Sequence, residues 1–270
     1  MHITNKISQY FHKFASTKFP SPIQNIINTG YVKILGLDMS EFREPNSYKT
    51  LNELFTRALV TPRTIDMSLD TFISPADSFV SEAGEIKDNT ALQIKGMRYN
   101  IEELFTPYIV KENLHKINNG NFMNFYLSPK DYHRYHSVYN AQVLQLIHVP
   151  GKLYPVNFTY LNKQDSLFVE NERVIIECKT NDDKLFYMVF IGALNVGQMV
   201  FDFEPKVQTN TQQRDIKVYT YDNLHIKKGE CLGHFKMGST VLLFWEKDMV
   251  ELEDLVDKKV RFTDIIAKTK

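Results

Sequence analysis

The sequence predicts an α+β fold: a predominantly antiparallel β-sheet domain, sandwich- or barrel-like, preceded by N-terminal amphipathic helices. Three observations predict it. Apolar residues recur at helical spacing ahead of Pro62. Beyond Asp66 the chain turns into short runs rich in β-branched and aromatic residues. Turn clusters, not long helical patterns, separate those runs.

The elements follow in order. Ile3, Ile7, Tyr10, Phe11 and Phe14 lie at helical spacing, and Pro20 and Pro22 interrupt the pattern. A second helix sets Ile23, Ile26, Ile27, Tyr31, Ile34 and Leu35 along one side. Thr50 and Glu53 have capping-box spacing for a third helix carrying Leu51, Leu54, Phe55 and Leu59, which Pro62 ends. Strands are expected at Phe122 to Leu127, Val143 to Val149, Arg173 to Cys178, Leu185 to Ile191 and Thr240 to Trp245. Ile101 to Phe105 is the one short helical pattern among them. Asn118-Asn119-Gly120, Thr180-Asn181-Asp182-Asp183 and Lys227-Lys228-Gly229 supply turns.

Composition narrows the function. The 270 residues have 43% hydrophobic and 24% charged content, which excludes a disordered or collagen-like chain. Thirty-two basic residues balance 32 acidic ones, so net charge gives no pull toward nucleic acid, and no nucleic-acid partner is expected. The balance is uneven: no Asp or Glu precedes Asp38, while Lys6, Lys13, Lys18 and Lys33 do. A basic amphipathic helix can lie in a membrane interface, although periodicity alone favours packing on the protein's own core. No apolar run reaches the ~18–20 residues of a spanning helix, and no signal-peptide core is expected. Cys178 and Cys231 are too few and too far apart for a disulfide framework, and a reduced pair in a cytosolic protein is expected.

Three segments carry groups able to do chemistry: ISPADSFVSEAGEI with Asp77, YLSPKDYHRYHSVYNA with His133 and His136, and KKGECLGHFKMGST with Gly238 and Ser239. Singly each is ordinary. Asp77 suits an Asx turn. The two histidines share a face on a helix and oppose each other on a strand. No third ligand stands at diagnostic spacing, so no metal is expected. Ser, His and Asp are the types needed for a nucleophile, a base and an orienter. A serine hydrolase is disfavoured, because the nucleophile-elbow Gly is missing after Ser239.

Together, and in this order, these segments resemble the phosphatidylserine decarboxylase family. The resemblance runs from LDMSEFREPNSYKTLNELFTRAL at Leu37 through SPADS, IKG, LSPKDYHRYH, PGKLYPVN, NER and IGALNVG to KKGECLGHFKMGST. Two positions depart: Ser78 stands where the family usually has Gly, and Met237 where it usually has Leu.

The resemblance implies a proenzyme that cuts its own Gly238–Ser239 bond. A helical membrane-associating region, residues 1–62, would precede a β-rich catalytic domain, residues 63–270. Cleavage would leave a β subunit of residues 1–238 and an α subunit of residues 239–270. Asp77, His136 and Ser239 would form the relay for self-cleavage, and Ser239 would become a covalent pyruvoyl group. That cofactor would decarboxylate phosphatidylserine to phosphatidylethanolamine and CO2 through a Schiff base, with His133 handling substrate and donating a proton. A lipid substrate shifts the reading of the N-terminal helices toward peripheral attachment on the cytoplasmic face of the inner membrane. The family commonly self-associates, which implies a homodimer. The alternative is an unprocessed, noncatalytic lipid-binding relative, favoured by Ser78 alone.

Overall fold

The computed structural model describes residues 3–94, 97–156, 165–194, 198–211, 215–236 and 239–270. The chain opens with α1 (Ile3–Ser16) and α2 (Ser21–Leu35), with Pro20 capping α2 ahead and Gly36 closing it in the left-handed conformation. α3 (Leu51–Phe55) begins where expected: the Thr50 hydroxyl accepts the Glu53 N–H at 3.0 Å. The Glu53 carboxylate reaches back to the N–H of Lys49, one residue before the cap. The helix stops at Phe55 and not at Pro62, so Leu59 lies beyond it. α4 (Ile101–Phe105) coincides with the predicted short helix, and α5 (Lys111–Ile117) adds a turn not foreseen.

Among the described residues, sixteen strands occur, in chain order. They are β1 (Thr71–Ile73), β2 (Ser78–Glu85), β3 (Thr90–Ile94), β4 (Met97–Asn100), β5 (Asn121–Leu127), β6 (Arg134–His136), β7 (Ala141–Val149), β8 (Arg173–Lys179), β9 (Leu185–Ile191), β10 (Met199–Phe201), β11 (Lys217–Ile226), β12 (Cys231–Phe235), β13 (Ser239–Trp245), β14 (Val250–Leu252), β15 (Lys259–Val260) and β16 (Ile265–Thr269). Eight of them form one sheet in the order β11-β7-β8-β9-β13-β5-β2-β15. Every pairing between these named strands is antiparallel. The sheet ends at β11 and β15 without closing, so the barrel form of the expectation gives way to an open sheet.

The central strands are buried on both faces. β9, LFYMVFI, is buried throughout and reads as a continuous apolar run. Its side chains alternate between two cores. Phe186, Met188 and Phe190 join Phe72, Tyr135 and Trp245 on one side; Tyr187, Val189 and Ile191 join Tyr99, Phe105 and Phe168 on the other. A small sheet, β10-β12-β6, closes over the first core.

The N-terminal helices divide their surfaces. Ala15 packs with Tyr48, Leu51 and Leu54, and Phe11, Ile27 and Tyr31 pack against that cluster. α2 buries polar groups inward: Gln24 donates to Asn28 Oδ1 at 2.8 Å, and Asn28 donates to the Pro45 and Tyr48 carbonyls. Other apolar residues of α2 face out, with Ile26 72% and Ile34 85% exposed. Among the described residues, no helix is long and apolar enough to cross a membrane.

Candidate active site

Topology collects the chemistry-bearing segments at one end of the large sheet. β5 lies between β2 and β13 and runs antiparallel to both. The C-terminal end of β5 therefore meets the starts of its two neighbours. Leu127 pairs with Ser239, and Tyr126 sits between Phe79 and Thr240. Asp77 immediately precedes β2, and the chain leaving β5 becomes the segment with His133 and His136. Gly238 lies outside the described residues, and Ser239 is described by its backbone.

The histidine segment is tied to both flanks by main-chain bonds. The His136 N–H donates to the Pro75 carbonyl at 2.9 Å, two residues before Asp77. The His133 carbonyl accepts the Phe235 N–H at 2.9 Å, four residues before Ser239. His136 ends β6 and His133 immediately precedes that strand, and the two rings have different neighbours, Phe262 and Phe55.

His136 is 6% exposed. Its ring stacks on Phe262 with centroids 3.6 Å apart and an interplanar angle of 15°. A carbonyl can only accept, so Nδ1 must carry the proton it donates to Gly229 O at 2.9 Å. Nε2 is then a lone pair, and the Tyr132 hydroxyl donates to it at 3.1 Å. Burial lowers the His136 pKa to about 4; Arg134 and Arg63 push the same way, while Asp77 opposes them. Gly229 holds a φ of +78°, and a Cβ there would meet Ile65 Cδ1 at 2.3 Å. The positive φ of the turn that aims its carbonyl at His136 favours glycine.

Asp77 does not bond a ring nitrogen of His136. Its carboxylate takes a bidentate pair from Arg63, at 2.5 and 2.9 Å, and the Phe262 N–H at 2.8 Å. Arg63 also binds both oxygens of Glu41, at 3.0 and 2.8 Å. Phe262 thus links the two groups, its N–H on Asp77 and its ring on His136. Arg63, Tyr132, Arg134, His136, Gly229, Cys231 and Phe262 help line a cleft of about 240 Å³.

His133 is fully buried, its ring 4.0 Å from that of Phe55. Nδ1 donates to the Asp131 carbonyl at 2.8 Å, and Nε2 is buried with no hydrogen-bond partner. Arg57 donates to that same carbonyl at 3.3 Å. Burial lowers the His133 pKa to about 3, with Arg57 adding to the effect.

Sequence reasoning missed Tyr132, Arg63, Arg57 and Phe262. Tyr132 stands inside the histidine segment and was the most accessible of these; Arg63 and Phe262 join Asp77 across 14 and 185 residues, respectively, with no local pattern. Ser78 is resolved as well. It starts β2, its φ is not positive, and its hydroxyl leans to the Ala76 carbonyl at 3.4 Å. The turn does not need glycine there, which removes the one feature that favoured a noncatalytic relative.

Comparison with known proteins identifies the family. The family model described as phosphatidylserine decarboxylase matches residues 51–268. A phosphatidylserine decarboxylase proenzyme of Campylobacter jejuni is 40% identical over 99% of this chain and 100% of its own length. A proenzyme of the same name from Helicobacter pylori is 42% identical over 98% of this chain and 97% of its own. One from Brevibacillus brevis is 34% identical over 94% and 89%. With that coverage, the chain belongs to the phosphatidylserine decarboxylase family.

Proposed function

We propose that this chain is a self-processing decarboxylase that converts phosphatidylserine to phosphatidylethanolamine and CO2. The observation that carries the reading is the meeting of Leu127 with Ser239 beside the His136 N–H to Pro75 bond. It supports the reading because the segments carrying Ser239, His136 and Asp77 lie around one strand end.

In the self-cleavage step, the Ser239 hydroxyl adds to the Gly238 carbonyl. His136 takes its proton on Nε2 and delivers it to the Ser239 nitrogen as the amide C–N bond breaks, so that an ester joins the two residues and a free amine is left. A base is needed because an unaided serine hydroxyl is a weak nucleophile. A neutral imidazole is the form that accepts, and burial keeps it neutral. Asp77 supports the imidazolium by its charge, and Tyr132 can turn from donor to acceptor once Nε2 carries a proton. Elimination of the ester and hydrolysis, with loss of ammonia, would complete the cut into residues 1–238 and 239–270.

The buried, unpartnered Nε2 of His133 suits a pyruvoyl group formed at Ser239, because its own backbone is bonded to Phe235 on the strand leading there. That group supplies an electron sink for the charge left when CO2 departs. The residues handle the proton. His133 holds its Nδ1 proton on Asp131, so Nε2 is an acceptor at rest. It takes the proton that the substrate ammonium must lose and returns one to the substrate carbon after CO2 leaves.

α1 and α2 hold the enzyme on the cytoplasmic face of the inner membrane. Tyr10, Phe14, Ile23, Ile26 and Ile34 face outward, beside the exposed Lys6, Lys13, Lys18 and Lys33. Apolar residues enter the acyl boundary and lysines meet anionic headgroups. The test of the whole reading is a denaturing gel and a CO2 assay on the same preparation. Two fragments and CO2 release from phosphatidylserine are expected; an intact chain that is active nonetheless would refute it.

A further inference from the structure

Lys236, on the strand leading to Ser239, lies within electrostatic reach of two histidines, His12 of α1 and His234. Gln9 of α1 donates its amide to the Asn210 carbonyl at 3.0 Å. His12, one turn along, lies within the electrostatic reach of Lys236. Lys236 continues β12 in extended alignment with β10: its N–H donates to the Gln198 carbonyl, and its ammonium to Gln198 Oε1, both at 2.8 Å. His234 lies two residues earlier, opposite Val200, and so shares the face of Lys236.

These groups lack an anion. The Nδ1 atoms of His12 and His234 are buried with no hydrogen-bond partner. The hydrogen-bond partner of the Lys236 ammonium is a neutral amide, and among the described residues no carboxylate pairs with it. Burial lowers the pKa of both histidines, with Lys236 adding to it at His12 and Arg134 and then Lys236 at His234. Partly buried basic groups without an acid are costly, and a bound anion removes that cost. Gln198, which accepts from the Lys236 ammonium, also borders a cleft of about 560 Å³.

The headgroup chemistry identifies the anion. In phosphatidylserine the phosphodiester lies between the reacting carbon and the acyl chains. The reacting carbon must reach residue 239, and the chains must leave along the apolar outer face of the helices. The phosphate therefore falls between them, where the inner face of α1 meets Lys236. Resting on the decarboxylase reading, we propose that His12, His234 and Lys236 form the site that takes the phosphodiester of the lipid headgroup.

The test is direct binding of glycerophosphoserine, a soluble headgroup with no acyl chains, to the full-length protein by calorimetry. The wild type is expected to bind it at least tenfold more tightly than serine. Lys236→Gln and His12→Leu should each weaken binding at least tenfold, and Lys236→Arg should keep it within threefold. His12 lies on a separate helix from the cut site, so His12→Leu, with its melting temperature checked, remains informative if Lys236→Gln folds poorly. Unchanged binding in a folded His12→Leu, or a wild type that binds serine as well as glycerophosphoserine, would overturn the proposal. A wild type that binds glycerophosphoserine but releases no CO2 from phosphatidylserine would refute the decarboxylase reading and leave this site standing.

Discussion

The Tyr132 hydroxyl donates to Nε2 of His136 at 3.1 Å, while Nδ1 of the same ring is spent on the Gly229 carbonyl at 2.9 Å. The lone pair that a base must use is therefore already oriented by a phenol. A hydroxyl that can donate before proton transfer and accept after it steadies both states of the ring. Tyr132→Phe should slow self-cleavage roughly tenfold, at the low end for a lost proton-transfer partner. A gel time course of newly synthesised protein would measure it; unchanged kinetics would remove Tyr132 from the machinery.

Ser239→Ala should give an uncut, folded chain of 31.5 kDa with no decarboxylase activity. The wild type should instead show a small fragment of 270 − 238 = 32 residues lacking a free N-terminal amine. His136→Ala should match Ser239→Ala closely on the gel. His133→Ala should separate the two reactions, with cleavage intact and CO2 release reduced at least a hundredfold, the usual scale for a positioned proton-transfer group. Mass spectrometry and a CO2 assay on each variant check all four statements.

The outward faces of α1 and α2 make a separate prediction. Ile26 and Ile34 are 72% and 85% exposed, while Gln24 and Asn28 are buried on the opposite side of α2. Burying one isoleucine in an apolar phase gains roughly 1.5–3 kcal/mol. The double substitution Ile26→Glu, Ile34→Glu should leave the melting temperature unchanged and cut binding to phosphatidylserine-containing vesicles more than tenfold. Deletion of residues through Leu35 should release the protein altogether. Cosedimentation equal to full-length protein would rule out this attachment.

Acid should destabilise the fold through its buried histidines. The pKa values of His133 and His136 are lowered by burial, to about 3 and about 4, from the model-peptide value of 6.5. Below pH 6.5 the unfolded chain binds protons that the folded chain refuses. The contribution of each histidine is fully present above pH 6.5 and is lost as pH falls toward the folded value. Between pH 7.5 and 5.5 each should cost on the order of 1 kcal/mol. Denaturant titrations over that range would show the slope, and His133→Gln should reduce it. A flat profile would mean that these rings are charged or open in solution.

How much of this was legible without coordinates depended on locality. β9 and β13 could be read because both faces of each strand are apolar. β11, KVYTYDNLHI, was passed over: it is the sheet's edge, and mostly polar or half-exposed residues leave no core-facing rhythm. α3 is shorter than the sequence predicts because a proline marks where a helix cannot continue, not where it stops. The site residues came from three local segments. Their mutual geometry did not, since the Arg63 fork on Asp77 and the Phe262 bridge to His136 depend on chain segments brought together by folding.

That bridge allows a last prediction, in which two substitutions should act with opposite signs. Asp77 and Arg63 form a bidentate pair, yet they bias His136 in opposite directions: the carboxylate raises its pKa and the guanidinium lowers it. A simple structural pair would make either substitution destabilising and leave the pH dependence of cleavage alone. An electrostatic role requires more. Asp77→Asn should lower the His136 pKa and move the acid limb of the self-cleavage rate to lower pH, with a slower plateau because the imidazolium loses support. Arg63→Gln should leave the carboxylate uncompensated, raise the His136 pKa, and move the same limb to higher pH. Each displacement should be roughly half a pH unit, modest because the groups interact without direct hydrogen bonding. Rate–pH profiles of the two variants decide it: limbs that move the same way, or not at all, would reduce Asp77 to an anchor for Arg63.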